Sequence, residues 1–160
     1  FYVSINIYIR RNIMSEKVIL IEGGISVDDR GELLFCNDFD MTDISRFYQV
    51  SNHSSNFVRA WHAHKKESKY IHVASGAVII AAVKVDNWEE PSKDLKIEKF
   101  SLSAKKPGIL FIPAGYAHGY KTLLAGTNLL FFSTTRLDES LNDDFRYDAH
   151  YWNPWEVKER

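Results

Sequence analysis

From Lys17 onward the chain is a succession of short β-branched and aromatic runs cut apart by turn residues, and no stretch carries a long apolar stripe at helical spacing. The runs at 17–21, 32–35, 45–50, 57–64, 69–74, 77–85, 96–102, 108–112, 119–123 and 128–133 read as strands. Between them lie Glu22-Gly23-Gly24, Val27-Asp28-Asp29-Arg30-Gly31, Ser75-Gly76, Lys106-Pro107-Gly108 and Pro113-Ala114-Gly115, all of them turn chemistry. Only 138–144 offers a short polar helix. So many short strands in about 120 residues predict an all-β fold, a sandwich or jelly-roll barrel. The closing Tyr151-Trp152-Asn153-Pro154-Trp155 is too aromatic for a loose tail and is expected to pack on the barrel or on a second subunit.

With 160 residues the chain can build one domain with a real core. The expected organisation is a leader over 1–13, non-native or disordered, and a domain over 14–160. The leader has no acidic residue, and it does not carry its positive charge ahead of an apolar block as a signal peptide does. Twenty Lys and Arg balance twenty-one Asp and Glu, which removes the electrostatic case for a nucleic-acid partner or a membrane surface. No apolar run approaches the roughly 20 residues that span a bilayer. The single cysteine, Cys36, calls for no oxidising compartment, and a cytoplasmic location is expected.

Two segments concentrate chemistry. In Arg59-Ala60-Trp61-His62-Ala63-His64, strand alternation sends His62 and His64 to one face. In the second, the 108–112 strand ends at Pro113-Ala114-Gly115, and the chain then delivers His118. Together they resemble the two histidine half-motifs of a cupin jelly roll, whose strands line one barrel mouth. Many cupins hold a metal with three histidines and a glutamate, and His62, His64, His118 and Glu67 could fill those places. Against this, Glu67 follows His64 too closely for that pattern and sits among Lys65, Lys66 and Lys69, which would repel a dication. No metal site is assigned. His53, His72 and His150 read as ordinary strand or loop histidines.

Further segments resemble the dTDP-4-dehydrorhamnose 3,5-epimerases and their short epimerase and 3,4-ketoisomerase relatives. Pro113-Ala114-Gly115-Tyr116-Ala117-His118-Gly119-Tyr120 is similar to the family's Pro-x-Gly-Phe-Ala-His-Gly-Phe. Lys69-Tyr70-Ile71-His72-Val73-Ala74-Ser75-Gly76 resembles its Lys-Leu-Val-Arg-Val-x-x-Gly strand, and Asp29-Arg30-Gly31 its early Asp-x-Arg-Gly. Gln49-Val50-Ser51-Asn52-His53-Ser54 resembles Gln-Asp-Asn-His-Ser with one residue inserted, and Phe145-Arg146-Tyr147-Asp148 the late Ile-Arg-Trp-Asp. His62-Ala63-His64-Lys65 is similar to the His-Ala-His-Lys run of the ketoisomerases.

The resemblance implies an RmlC-like cupin and an isomerase acting on a nucleotide-diphosphate sugar, a dTDP-4-keto-6-deoxyhexose, in surface-glycan synthesis such as that of lipopolysaccharide O-antigen. In that reading His62 is the base that removes a proton alpha to the 4-keto group. Lys69 donates to the keto oxygen, His64 pairs with His62 as in the ketoisomerases, which shuttle a proton between adjacent carbons on one face, and His118 completes the catalytic group in the sugar pocket. Arg30, Gln49, Asn52 and Arg59 hold the diphosphate. No cofactor is needed, because the ketone itself acidifies the neighbouring C–H, and the family implies a homodimer. Two family features are unmatched. Ser133-Thr134-Thr135-Arg136-Leu137 lacks the tyrosines that supply the general acid, leaving Tyr116, Tyr120 and Tyr147 as candidates, and the aspartate partner of the base has no counterpart. A non-catalytic sugar-nucleotide-binding cupin and a metal-dependent cupin enzyme are the alternatives.

Overall fold

The computed structural model describes residues 15–160, so the expectation for a leader over 1–13 falls outside the described residues. The alternating runs form β1 (Ile19–Glu22), β2 (Gly24–Asp28), β3 (Gly31–Phe35), β4 (Arg46–Ser51), β5 (Val58–Ala63), β6 (Lys69–Ser75), β7 (Ala77–Lys84), β8 (Ile97–Ser103), β9 (Gly108–Ile112), β10 (Tyr116–Thr122) and β11 (Asn128–Ser133). A one-turn helix, α1 (Leu137–Leu141), and a two-residue strand, β12 (Phe145–Arg146), follow. All pairings are antiparallel, in a five-stranded sheet β1-β9-β6-β11-β4 and a second five-stranded sheet β12-β5-β10-β7-β8. The expected all-β jelly roll is therefore present. One region differs: 27–31, read above as a turn, is the end of a separate hairpin in which β2 pairs β3. Ile25, Val27 and Leu33 give its arms the alternation of strands, so only Asp29 and Arg30 form the turn.

Between the sheets the core is built from Ile71, Val73, Val78, Ile80, Leu110, Ile112, Leu129 and Phe131, with Tyr116 and Tyr120. The second sheet is buried on its outer face as well. Trp61, Ala63, Ile79, Ala81, Val83 and Ala117 point away from the barrel and are covered by Trp152 and Trp155. Both rings meet Trp61, with centroids 5.2 Å and 5.1 Å away. The Trp61 indole donates to the Trp152 carbonyl at 3.1 Å, and the Trp152 indole donates to Ser92. The aromatic tail thus packs on its own barrel, and this explains why β7 reads as an unbroken apolar run rather than an alternating one.

One irregularity positions the histidine strand. Against β10, β5 pairs His62 with His118 but Arg59 with Tyr120, so two residues of β5 span the single residue Gly119. This bulge restores Arg59 to the inward face despite its odd spacing from His62. A Cβ at Gly119 would stand 2.2 Å from the Ala60 Cβ, so only glycine admits this approach. Gly119→Ala is expected to lower the unfolding free energy by about 1–3 kcal/mol, read as a lower urea midpoint at unchanged slope.

Candidate active site

Three inward rows of side chains cross the first sheet. The register aligns Lys69, Ser133 and Arg46 at one end, then Ile71, Phe131 and Tyr48, then Val73, Leu129 and Val50. Polarity therefore rises toward one mouth of the barrel. On the facing sheet, Arg146, His62 and His118 align across β12, β5 and β10. The two polar ends meet around an open cleft lined by Arg46, Tyr48, Val50, Arg59, His62, His64, Lys69, His118, Tyr120 and Phe131, with Ser140, Leu141, Asp144 and Arg146 from the α1–β12 segment.

The floor of this cleft is held by a carboxylate. Glu67, 2 % exposed, accepts from the Lys69 ammonium at 2.5 Å, the Arg46 guanidinium at 3.2 Å, the Ser140 hydroxyl at 2.7 Å and the Ser133 hydroxyl. Its second oxygen lies 3.3 Å from Nδ1 of His64. Burial alone would raise its pKa. The hydrogen bonds from Lys69, Ser133 and Ser140 and the lysine charge outweigh that and hold it near 2. For Lys69, burial pushes the ammonium below its ordinary value while Glu67 works the other way.

The histidines differ in their partners. Nδ1 of His64 lies 2.6 Å from the Asp143 carbonyl, which can only accept, so Nδ1 carries the proton and Nε2 is left as an acceptor. The Asp143 carboxylate fixes the same turn by accepting from the Lys65 and Lys66 amides at 2.9 and 2.7 Å. The His62 ring has no hydrogen-bond partner among the described residues. Burial lowers its pKa to about 4, with the Arg146 charge adding to the effect. His118 is also lowered well below the ordinary histidine range by burial, with His62, Lys69 and His64 contributing. His62 and His118 therefore stand neutral near pH 7, their ring centroids 6.3 Å apart, and His64 lies 6.2 Å from His118. Four cations, Arg46, Arg59, Arg146 and Lys69, against the carboxylates of Glu67 and Asp144 leave an excess of two positive charges.

Of the residues singled out in the sequence, His62, His64, His118, Lys69 and Arg59 come together here. Three do not. Gln49 stands on the outer face of β4 and donates to Asn128 at 3.0 Å, because alternation turns Tyr48 and Val50 inward instead. Asn52 lies beyond the end of β4 and holds its loop by donating to the Phe57 carbonyl. Arg30 sits at the tip of the β2–β3 hairpin with its side chain 86 % exposed and paired with Asp28 at 2.5 Å, away from the cleft of its own chain. Glu67, weighed above as a metal ligand, turns its carboxylate into the lysine–serine network. Among the described residues no three His, Cys, Asp or Glu side chains form a group suited to a metal ion. Arg46, Tyr48, Asp144 and Arg146 were not anticipated. The first two follow from the alternation that places Val50 inward, and Arg146 lies in the quoted late motif.

A family model described as dTDP-4-dehydrorhamnose 3,5-epimerase matches residues 14–154. The chain belongs to that family. Among solved structures it is similar to a double mutant of the QdtA 3,4-ketoisomerase of Thermoanaerobacterium thermosaccharolyticum in complex with TDP, with a TM-score of 0.64 and 24% identity over 86% of this chain and 93% of that one. A dTDP-4-dehydrorhamnose 3,5-epimerase from Bacillus anthracis with TDP and pyrophosphate bound gives a TM-score of 0.70 and 21% identity, covering 86% of its chain and 89% of this one. A double mutant of ChmJ, a 3'-monoepimerase from Streptomyces bikiniensis in complex with dTDP, gives 0.72 at 15% identity, covering 88% of this chain and 75% of that one. These likenesses establish the RmlC-like cupin fold. No curated protein matches the chain.

Glu67→Ala would leave the Lys69 ammonium buried without a counter-charge, and a loss of about 3–5 kcal/mol in unfolding free energy is expected. Because folding depresses the Glu67 pKa from 4.5 to about 2, its contribution is complete above the first value and is lost as pH falls through the second. Urea titrations across that window should show the decline in the wild type and a smaller one in Glu67→Gln.

Proposed function

We propose that the protein is an isomerase that moves a proton alpha to the ketone of a dTDP-4-keto-6-deoxyhexose, acting as a C3 epimerase, a 3,5-epimerase or a 3,4-ketoisomerase. The observation that carries this reading is the meeting of His62, His64 and His118 with Lys69 in a cleft ringed by arginines. Arg46, Arg59 and Arg146 suit a diphosphate, whose oxygens a guanidinium fork matches. With the diphosphate held there, His62 is the neutral imidazole that takes the C3 proton. The Lys69 ammonium, fixed by Glu67, faces the enolate oxygen as charge develops on it. His64 takes up that proton, or one from solvent, at the Nε2 that the bond to the Asp143 carbonyl leaves free, and delivers it to the adjacent carbon on the same side. All three histidines belong to β5, β10 and the turn after β5, so they serve one side of the sugar. That arrangement favours chemistry at C3 and C4 over inversion at both C3 and C5.

Incubation with the keto-sugar in D2O tests the reading. Deuterium at C3 alone fits a C3 epimerase, deuterium at C4 of a 3-keto product a 3,4-ketoisomerase, label at C3 and C5 a full 3,5-epimerase, and no label in any 4-keto-6-deoxyhexose nucleotide removes the catalytic claim. His62→Asn should cut the exchange rate by about 10²–10⁴, and Lys69→Met by about 10²–10³.

The reading includes a cytoplasmic homodimer that uses no metal or other cofactor. Among the described residues no helix is long and apolar enough to cross a membrane. The β2–β3 hairpin leaves Ile25, Val27, Leu33 and Leu34 exposed on a two-stranded ribbon, and such a ribbon is marginal without a further surface to cover it. A second copy would cover it, and Arg30 would then serve a neighbouring subunit. Sedimentation equilibrium should give twice the mass of the chain, and Val27→Glu with Leu33→Glu should halve it.

A further inference from the structure

Among the described residues, three buried side-chain polar atoms have no hydrogen-bond partner: the Asn52 Oδ1, the Thr135 Oγ1 and the Tyr120 hydroxyl. Only Tyr120 lines the cleft. It is 5% exposed and stands on the same face of β10 as His118, opposite Arg59 in the register. The other two tyrosines considered as candidates spend their hydroxyls elsewhere, Tyr116 on the Glu16 carbonyl and Tyr147 on that of Trp88. A buried hydroxyl left idle is costly. A phenylalanine would fill the same ring volume without that cost, and the signature that Gly119-Tyr120 resembles ends in phenylalanine. Burial raises the Tyr120 pKa to about 12 even though the Arg59 charge and the approach of its guanidinium to the hydroxyl oxygen oppose it, so the group is a neutral O–H whose proton is left to donate throughout the physiological range.

We propose that the Tyr120 hydroxyl is a ligand-binding group whose proton has no acceptor in the free protein and is donated to the anionic diphosphate that Arg59 holds. The inference rests on the nucleotide-diphosphate reading above and adds to it a residue that the family signature does not supply. Its ligand partner is a phosphate oxygen, which accepts strongly and whose bond to the hydroxyl would be protected from water by the surrounding barrel.

Tyr120→Phe tests this without changing the ring. Calorimetric titration with dTDP, which carries the diphosphate and no sugar, is read beside the urea midpoint of the unliganded proteins. The expected result is about tenfold weaker dTDP binding with a midpoint equal to or above that of the wild type. A midpoint that falls would mean that the hydroxyl is already bonded within the protein, and would overturn the proposal. Unchanged dTDP affinity in the variant would overturn it too while leaving the nucleotide reading intact. A wild type that takes up no dTDP would sink that reading, and this inference with it.

Discussion

A single buried carboxylate organises the polar end of this barrel. Glu67 joins the Lys69 ammonium of β6, the Arg46 guanidinium of β4, the Ser133 hydroxyl of β11 and the Ser140 hydroxyl of α1, and lies beside His64 past the end of β5. Taking a lysine and a glutamate out of water costs several kcal/mol for each ion, so the pair persists because the carboxylate accepts further hydrogen bonds from Arg46, Ser133 and Ser140. The arrangement is not an efficient source of stability, since a well-packed apolar pair would serve as well. What it does supply is geometry. An ammonium at the end of a four-carbon stem is free to wander, and this one is held within hydrogen-bond distance of a fixed oxygen, facing the cleft. The same carboxylate draws α1 down onto the barrel mouth, which brings Leu141, Asp144 and Arg146 to the lining.

The rest of the barrel supports that end by being unremarkable. Its inner rows pass from Lys69, Ser133 and Arg46 to Ile71, Phe131 and Tyr48 and then to purely apolar side chains. Strand register therefore separates a rigid dry core from a charged mouth within three rows. The second sheet is anchored from outside by Trp152 and Trp155 against Trp61, directly behind the strand that carries His62. The side chain that would act chemically and the one that holds its strand in place are neighbours in sequence, and alternation sends them to opposite faces.

Much of this was legible from the residues. Period-two alternation placed His62 and His64 together, turn residues bounded most strands, and the paired half-motifs located His118. Failures came where one residue of register decides the face. Matching Gln49 to a motif across an inserted residue put an outward side chain into the site, while Tyr48 and Arg46, inward by the same alternation that buries Val50, went unnoticed. Glu67 was hidden by its company. Within Lys65-Lys66-Glu67-Ser68-Lys69 the first two lysines are exposed and the third is buried, and only the fold reveals that the glutamate follows the third. Arg146 lies on a strand of two residues, too short for any periodicity to announce. Arg30 belongs to a hairpin whose separation from both barrel sheets is a tertiary fact with no local signature.

The electrostatics of the cleft bear on how a base of this kind could work. Burial and the nearby Arg146 hold His62 near pKa 4, which keeps it unprotonated and available at neutral pH but also makes it a weak base. On the proposed reading, little of the driving force for removing a carbon-bound proton can come from the imidazole. The burden shifts to the oxyanion side, where Lys69 and the arginine-rich wall stabilise the enolate. The Arg146 charge, which adds to burial in weakening the base, would also strengthen the stabilisation of its product, so the two effects are linked rather than independently tuned. A bound diphosphate alters this balance again. On the proposed reading, two negative charges beside Arg59 and Arg146 would offset the part of the His62 depression that those cations add to burial, and would leave Lys69, tethered to Glu67, as the cation facing the reacting carbonyl.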